Sequence, residues 1–238
     1  MRRLTMIILA LLYFTTVTPA QEPAAQQQAD NPGEATSKPE ERSWQLDRGA
    51  KEFSVSFGFS PMQPTFFSGR KEYDTHGRKF MLTSFRFGHV IGTVKNVTYE
   101  YLFEVTPLSL AINNEVKNPA FRSTETTPDT PETIRRTTYS IGVQPVGFRF
   151  VFTPKRRLKP YVQTSAGFIF SRKPIPVPDG LTYNFSGDFG GGVMYNLTHR
   201  RTVTLGYRYF HISNMNIGEI NPGYNANMFY VGYSFFSK

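Results

Sequence analysis

The sequence predicts an all-β protein, folded as an eight-stranded antiparallel transmembrane β-barrel of the bacterial outer membrane. Three observations lead to this prediction. Eight segments alternate apolar and polar residues, the connections between them alternate between short and long, and the polar positions carry charges of both signs. In such a barrel, lipid-facing and lumen-facing residues alternate along each strand, and the turns are short at one end and longer at the other.

The region before the first strand has two parts. Residues 1–20 begin with Arg2 and Arg3, continue through an apolar run and end at Ala20, an order that predicts a secretory signal peptide. An N-terminal anchor is the alternative, but the apolar run is short for a spanning helix, which needs about 20 residues. Residues 21–47 are rich in Gln, Ala, Pro and Glu without apolar periodicity, which predicts a disordered periplasmic tether. Residues 48–238 are the predicted barrel domain.

Period-two alternation defines the strands. It is clearest in five segments: Phe53–Ser60, Val97–Val105, Tyr183–Asn196, Thr202–Asn214 and Asn225–Phe236. Three further segments follow it less regularly: Phe80–Val90, Tyr139–Phe152 and Leu158–Phe170. The second of these changes parity around Pro145-Val146-Gly147, which predicts a β-bulge. Together the segments give eight strands, an even number.

The polar face distinguishes between two all-β architectures. In a soluble sandwich or lipocalin-like barrel the apolar face would point inward, whereas in an outer-membrane barrel it faces lipid. Here the apolar face is rich in Phe and Tyr, and the polar face carries opposite charges that can pair inside a narrow lumen. The predicted lumen residues are Arg86, Glu100, Glu104, Arg149, Gln163, Asp188 and Arg208.

The connections predict how the barrel is oriented. Short turns fall at 92–96, 154–157 and 198–200, and longer connections at 61–78, 107–136, 172–182 and 214–225. Because outer-membrane barrels have short periplasmic turns, both termini are predicted to be periplasmic and the seventh strand to run outward. The aromatic C-terminal stretch Gly232–Phe236 resembles the signal for outer-membrane assembly, which predicts the barrel-assembly machinery as a partner.

Composition narrows the set of partners. The chain has no cysteine, so a disulfide-stapled scaffold is excluded. Its net charge of +9 would suggest nucleic acid for a soluble chain, but an exported chain meets anionic outer-membrane lipid or phosphorylated glycolipid instead. The short turns are basic, as expected for contact with anionic headgroups.

A group of polar residues near the C-terminus points to chemistry. His211 and Ser213 share the parity of the apolar residues of the seventh strand, so they are predicted to face lipid at outer-leaflet height. Asn225, on the neighbouring eighth strand, is predicted to lie close to them. Polar side chains on a lipid-facing surface are costly unless satisfied or functional. A His can activate a Ser nucleophile, with the Asn214 side chain or a backbone amide binding the oxyanion, and simple interface polarity is the alternative.

The stretch His211-Ile212-Ser213-Asn214, followed by Asn221-Pro222-Gly223 on an eight-stranded outer-membrane barrel, resembles the lipid A 3-O-deacylase family. The resemblance implies an enzyme that removes an ester-linked acyl chain from the 3-position of lipid A, the anchor of lipopolysaccharide, without a metal or other cofactor. It also implies that His211 is the base, that Ser213 is the nucleophile, and that Asn214 and the region of Asn216 form the oxyanion site.

One position departs from the family pattern, which has an acidic residue twelve positions after the Ser. Here that position is Asn225, which can accept a hydrogen bond from His but cannot offset the charge of an imidazolium. The same replacement costs serine proteases about 10⁴ in kcat, although Cys-His-Asn enzymes do use an Asn. Asn225 is therefore predicted as the third member of the triad, with Glu219 as the alternative.

Two other functions stay open at the level of sequence. A non-catalytic structural or adhesin-like barrel is favoured by the missing acid and by the long connection 107–136. A soluble lipocalin-like carrier is the third interpretation. Lipid A, lipopolysaccharide and outer-membrane lipids are the predicted partners, and a homodimer is compatible with the sequence.

Overall fold

The computed structural model describes residues 44, 46–61, 77–122 and 130–237, which form a closed antiparallel barrel. Its strands are β1 (Lys51–Ser60), β2 (Lys79–Val94), β3 (Val97–Lys117), β4 (Thr133–Phe152), β5 (Leu158–Ser171), β6 (Tyr183–Asn196), β7 (Arg201–Ser213) and β8 (Tyr224–Phe236). Each strand pairs with the next along the chain, and β1 pairs with β8 to close the barrel. The eight-stranded barrel predicted from the sequence is confirmed.

Two predicted segments precede the barrel in the chain. The proposed signal peptide and residues 21–43 of the proposed tether lie outside the described residues. Near the tether's predicted end, however, Trp44 stacks on the His199 ring at 4.4 Å and Leu46 is buried, so packing against the barrel begins before residue 48. In the described part of the chain, no helix is both long and apolar enough to span a membrane.

The largest error of the prediction lies at β3 and β4. Half of the connection expected over 107–136 is in fact strand, because β3 continues to Lys117 and β4 begins at Thr133. Register shifts interrupt the β3–β4 pairing between Thr106 and Ser109 and again between Ala111 and Asn114. Such irregularities reverse the inward and outward parity locally, which hides the strand from a period-two search. The bulge predicted near Pro145 is confirmed by the register shift between Val143 and Val146 in the β4–β5 pairing.

The outer surface is apolar and the lumen is polar at mid-height. Outward residues of β1 such as Phe53 and Val55 are 57% and 49% exposed, as expected for side chains that contact lipid. All seven predicted lumen residues are buried. The prediction that the apolar face points outward is therefore confirmed.

The lumen charges pair as predicted. Glu104 accepts hydrogen bonds from Arg86 at 2.5 Å and from Arg208 at 3.0 Å. Arg149 forms ion pairs with Glu100 and with Glu52, a residue just before the predicted start of the first strand. Because these groups are buried, each needs its partner, and the paired set holds five strands together.

Apolar layers cover this network on both sides. At the end of the barrel where the long connections lie, which we call the long-loop end, Ile175 and Val177 of the β5–β6 connection are buried. Ile175 belongs to a buried cluster that includes Phe80 and Phe210. At the opposite, short-turn end, Leu46 joins a second buried cluster with Val151 and Tyr230. The lumen between the two ends is packed with side chains, as in other narrow barrels.

Candidate active site

His211 and Ser213 lie at the end of β7, at the long-loop end of the barrel. They occupy outward positions of the strand, separated by the buried Ile212. The imidazole of His211 is exposed and Ser213 is half-buried. The two side chains therefore leave the barrel on the same face, where a lipid-facing surface meets the loops.

Asn225 on β8 is the cross-strand partner of His211. Its Oδ1 atom lies 2.5 Å from the Nδ1 atom of His211. Because an amide oxygen can only accept a hydrogen bond, Nδ1 carries the hydrogen in this pair. A neutral imidazole protonated on Nδ1 has its lone pair on Nε2, which is the tautomer that a general base requires.

Ser213 is held mainly by the loop that follows it. Asn221 Nδ2 donates to Ser213 Oγ at 3.0 Å, and the hydroxyl faces Asn221 Oδ1 at 3.2 Å. The backbone N–H of Met215 also donates to Oγ, at 3.1 Å. Among the described residues no hydrogen bond joins Ser213 to His211, so the hydroxyl must turn toward the imidazole before it can transfer a proton. Such pairs are often loosely aligned before substrate binds.

The loop from Asn214 to Gly223 is rigidified by its own polar groups. Asn214 donates through Nδ2 to the Ile220 carbonyl at 2.7 Å and accepts from the Asn216 backbone N–H at 2.9 Å. Asn216 Oδ1 accepts from Asn221 Nδ2 at 3.2 Å. These contacts fix the position of Asn221 beside Ser213.

The backbone of the same loop is strained next to the nucleophile. Met215 and Asn216 adopt φ angles of 52° and 62°, in the left-handed region that L-residues other than Asn and Asp rarely enter. The strained turn aims the Met215 N–H at Ser213 Oγ. Backbone strain of this kind clusters at functional sites, where the surrounding contacts stabilise it.

Gly223 completes the approach of the loop to the imidazole. Its φ is 68°, and a Cβ atom added there would lie 3.4 Å from Cε1 of His211. Glycine adopts this φ at little cost, whereas the 3.4 Å separation is an ordinary van der Waals distance. The backbone conformation at the residue after Pro222 therefore favours glycine there.

A second polar pair lies on the same surface, nearer the middle of the barrel. Tyr207 on β7 donates its hydroxyl hydrogen to Oδ1 of Asn227 on β8 at 2.7 Å. The pair follows the His211–Asn225 pair along the same two strands. The lipid-facing surface of β7 and β8 therefore carries two neighbouring hydrogen-bonded pairs of polar side chains.

The structure brings together His211, Ser213 and Asn225, while Asn214 and Asn216 support the adjoining loop. Glu219, the alternative acid, is exposed in that loop, and His211 Nδ1 is bonded by Asn225 instead. The contact of Asn221 with Ser213 was not predicted, although Asn221 belongs to the motif quoted for the resemblance. In the described residues, no three His, Cys, Asp or Glu side chains are grouped so as to hold a metal ion.

A comparison with protein families bears on this site. The model of a family described as Lipid A 3-O-deacylase (PagL) matches residues 108–234, more than half of the chain. The matched region contains His211, Ser213, Asn221 and Asn225. No curated protein matches the sequence.

Three solved structures are similar to the barrel. The outer membrane enzyme PagL has 13% identity and a TM-score of 0.45, with 76% of this chain and 98% of that chain covered. Neisserial surface protein A has 13% identity and a TM-score of 0.43, with 78% of this chain and 95% of that chain covered. The attachment invasion locus protein Ail of Yersinia pestis, with the heparin analogue sucrose octasulfate, has 11% identity and a TM-score of 0.43, with 80% of this chain and 100% of that chain covered. At these identities the likeness concerns the fold alone, so the family match carries the assignment. The chain, a β-barrel of the bacterial outer membrane, belongs to the lipid A 3-O-deacylase (PagL) family.

Proposed function

We propose that this barrel is an esterase that removes the ester-linked acyl chain from the 3-position of lipid A. The observation that carries the proposal is the hydrogen bond from His211 Nδ1 to Asn225 Oδ1, two residues from Ser213 on the lipid-facing surface. It leaves Nε2 free to accept the Ser213 proton. Family membership supplies the substrate class, and the long-loop end is taken to face the outer leaflet, where lipid A esters lie.

The proposed reaction has two steps. Ser213 Oγ attacks the ester carbonyl carbon while His211 Nε2 takes the hydroxyl proton, which gives a tetrahedral intermediate. The intermediate expels the 3-oxygen of the sugar, which receives the proton from His211 and leaves an acyl group on Ser213. Water, deprotonated by His211, then attacks this acyl ester, and the free fatty acid departs as Ser213 regains its proton.

Two hydrogen-bond donors are placed to stabilise the oxyanion. Asn221 Nδ2 and the Met215 N–H already converge on Ser213 Oγ, at 3.0 and 3.1 Å. When Oγ bonds to the carbonyl carbon, the carbonyl oxygen lies next to Oγ, within reach of the same donors. We therefore assign oxyanion binding to Asn221 and the Met215 amide, with Asn214 and Asn216 holding the loop that presents them.

Asn225 can orient His211 as the acid of the family pattern would, but it carries no negative charge. Its amide oxygen fixes the tautomer of His211, the function whose loss accounts for most of the penalty when a protease Asp becomes Asn. It cannot neutralise the imidazolium that forms in each step. The proposed enzyme is therefore active, and slower than a family member that carries the acid.

The proposed partners follow from this function. Lipid A within lipopolysaccharide is the substrate, and the aromatic C-terminal strand is the part presented to the barrel-assembly machinery. No cofactor takes part in the reaction. A homodimer is compatible with this reaction and is not required by it.

The test is a reconstitution of the refolded barrel with lipopolysaccharide, followed by mass spectrometry of the lipid A. The wild-type chain should remove a single ester-linked acyl chain, and Ser213→Ala should remove none while remaining a heat-modifiable, folded barrel. Glu219→Gln, in the same loop but exposed, serves as the matched control and should keep full activity. Unaltered lipid A with the wild type, under conditions where an established deacylase works, would reject the proposal.

A non-catalytic outer-membrane barrel is the second candidate. It is favoured by Asn225 in place of the acid and by the hydrogen bonds of Ser213, which go to Asn221 and Met215. On this alternative Ser213→Ala leaves the cellular phenotype intact, whereas shortening the connection between β3 and β4 removes it. The lipid A measurement above distinguishes the two candidates directly.

A further inference from the structure

A basic cavity lies at the long-loop end of β3, β4 and β5. Its volume is about 260 Å³, and its lining includes Lys117, Arg136, Arg172 and Lys173 together with the exposed Thr137. None of the nine described residues that line it is acidic. Four cations and a hydroxyl around one open cavity form a surface suited to an oxyanion.

Two carboxylates, Asp179 and Glu132, lie near Lys117, and four cations against two carboxylates leave this surface positive. Lys117 forms an ion pair with Asp179 at 3.0 Å, but both side chains are more than 60% exposed. Such an exposed pair is weak and exchanges readily with another anion. The three further cations of the lining lie on β4 (Arg136) and at the start of the β5–β6 connection (Arg172 and Lys173). A multiply charged anion is therefore a better partner for the cavity than a single carboxylate.

The height of the cavity relative to the membrane identifies the anion. Tyr139 lines the cavity and faces outward at 48% exposure, directly before the lipid-facing Ile141 on the same face of β4. The guanidinium of Arg172 lies over the Tyr139 ring, 5.5 Å from its centroid. Lys117 is the last residue of β3 and Arg172 directly follows β5, so the cations lie where these strands end, a level at which Tyr is enriched. The cations therefore lie at the level where the outer leaflet carries its phosphates.

This cavity is distinct from the candidate active site. The active site lies on β7 and β8, whereas the cavity lies on β3, β4 and β5, and β4 and β8 are opposite each other in the closed strand order. A glycolipid bound at the active site is therefore separated from the cavity by the width of the barrel. The two sites would hold different lipid molecules.

We propose that the cavity binds the phosphate groups of a lipopolysaccharide molecule that is not the substrate. Guanidinium groups bind phosphate oxygens through paired hydrogen bonds, and Lys supplies a mobile point charge. The bound lipid holds the β3–β5 side of the barrel in the outer leaflet. This proposal does not depend on the esterase activity.

The experiment counts bound lipids by native mass spectrometry on the full mature chain. The background is Ser213→Ala, so that no lipid is cleaved, and the probe is bisphosphorylated lipid A in detergent micelles. The test variant adds Arg136→Gln, Arg172→Gln and Lys173→Gln. The matched control adds Lys155→Gln, Arg156→Gln and Arg200→Gln, which remove the same charge from the short-turn end.

The proposal predicts that the test variant loses one bound lipid, with an affinity at that site about a hundredfold weaker, while the control loses none. Lipid A stripped of its phosphates should behave like the test variant. Because the readout is a difference of one lipid, it holds whether or not the active site binds another. Equal lipid counts in test and control, both heat-modifiable, would overturn the proposal, as would displacement of the lipid by millimolar inorganic phosphate.

Discussion

Replacing Asn225 by Asp isolates the charge of the third catalytic member from its geometry. The two side chains have nearly the same shape, so an Asp carboxylate oxygen can occupy the position of Asn225 Oδ1, 2.5 Å from His211 Nδ1. The tautomer of His211 is then the same in both proteins. What changes is the interaction with the imidazolium that forms when Ser213 gives up its proton.

The size of the effect follows from the exposure of the pair. Two unit charges 4 Å apart interact by about 1 kcal/mol in water and about 4 kcal/mol at an effective dielectric constant of about 20. His211 is exposed and Asn225 is half-buried, so the pair lies between these limits. Converted to rate, Asn225→Asp should raise kcat by a factor between about 5 and about 10³.

The assay measures the initial rate of acyl release from lipopolysaccharide. Each variant is first shown to be folded by its heat-modifiable migration in gel electrophoresis. Asn225→Leu, which keeps the volume and removes the acceptor, should be slower than the wild type because the His211 tautomer is no longer fixed. If Asn225→Asp is no faster than the wild type and Asn225→Leu is equally active, Asn225 does not act through His211 and the assignment fails.

Three further predictions concern the loop, the lumen and the strand packing. Asn221→Ala should lower kcat by about 10²–10³ with little change in KM, as for loss of an oxyanion donor; steady-state kinetics against Glu219→Gln check this. Glu104→Leu should reduce the unfolding free energy by about 3–5 kcal/mol, because two buried arginines lose their shared partner; urea titrations in lipid vesicles measure it. Gly190→Ala should prevent folding, since its Cβ would lie 2.0 Å from a carbonyl oxygen of β7, whereas Gly187→Ala, with 3.7 Å of clearance, should give a heat-modifiable barrel.

The sequence was sufficient for the barrel because a lumen and a lipid phase impose opposite requirements on alternate residues. Arg149 and Phe150 are neighbours in the chain, yet one is buried in an ion-pair network and the other contributes to the outer aromatic surface. This pattern failed where bulges broke it, around Thr106–Ser109 and Ala111–Asn114 in β3. A bulge changes parity without changing composition, so no count of apolar positions can restore the register.

The candidate site was predictable where it depends on register and unpredictable where it depends on a loop. His211 and Asn225 meet because β7 and β8 are joined by one connection, and parity places both on the outer face. The contact between Asn221 and Ser213 requires the left-handed turn at Met215 and Asn216, which has no sequence signature at the Met. The hydrogen bonds of Ser213, directed to this loop, likewise appear only in three dimensions.

The central claim is that Ser213 is a nucleophile activated by His211, and a covalent label tests it most directly. A long-chain alkyl fluorophosphonate should attach to the refolded barrel in micelles, and peptide mass spectrometry should locate the adduct on Ser213. His211→Ala, confirmed as folded, should label far more slowly. A folded wild-type barrel that forms no adduct at Ser213, or that labels at the same rate without His211, would contradict the account.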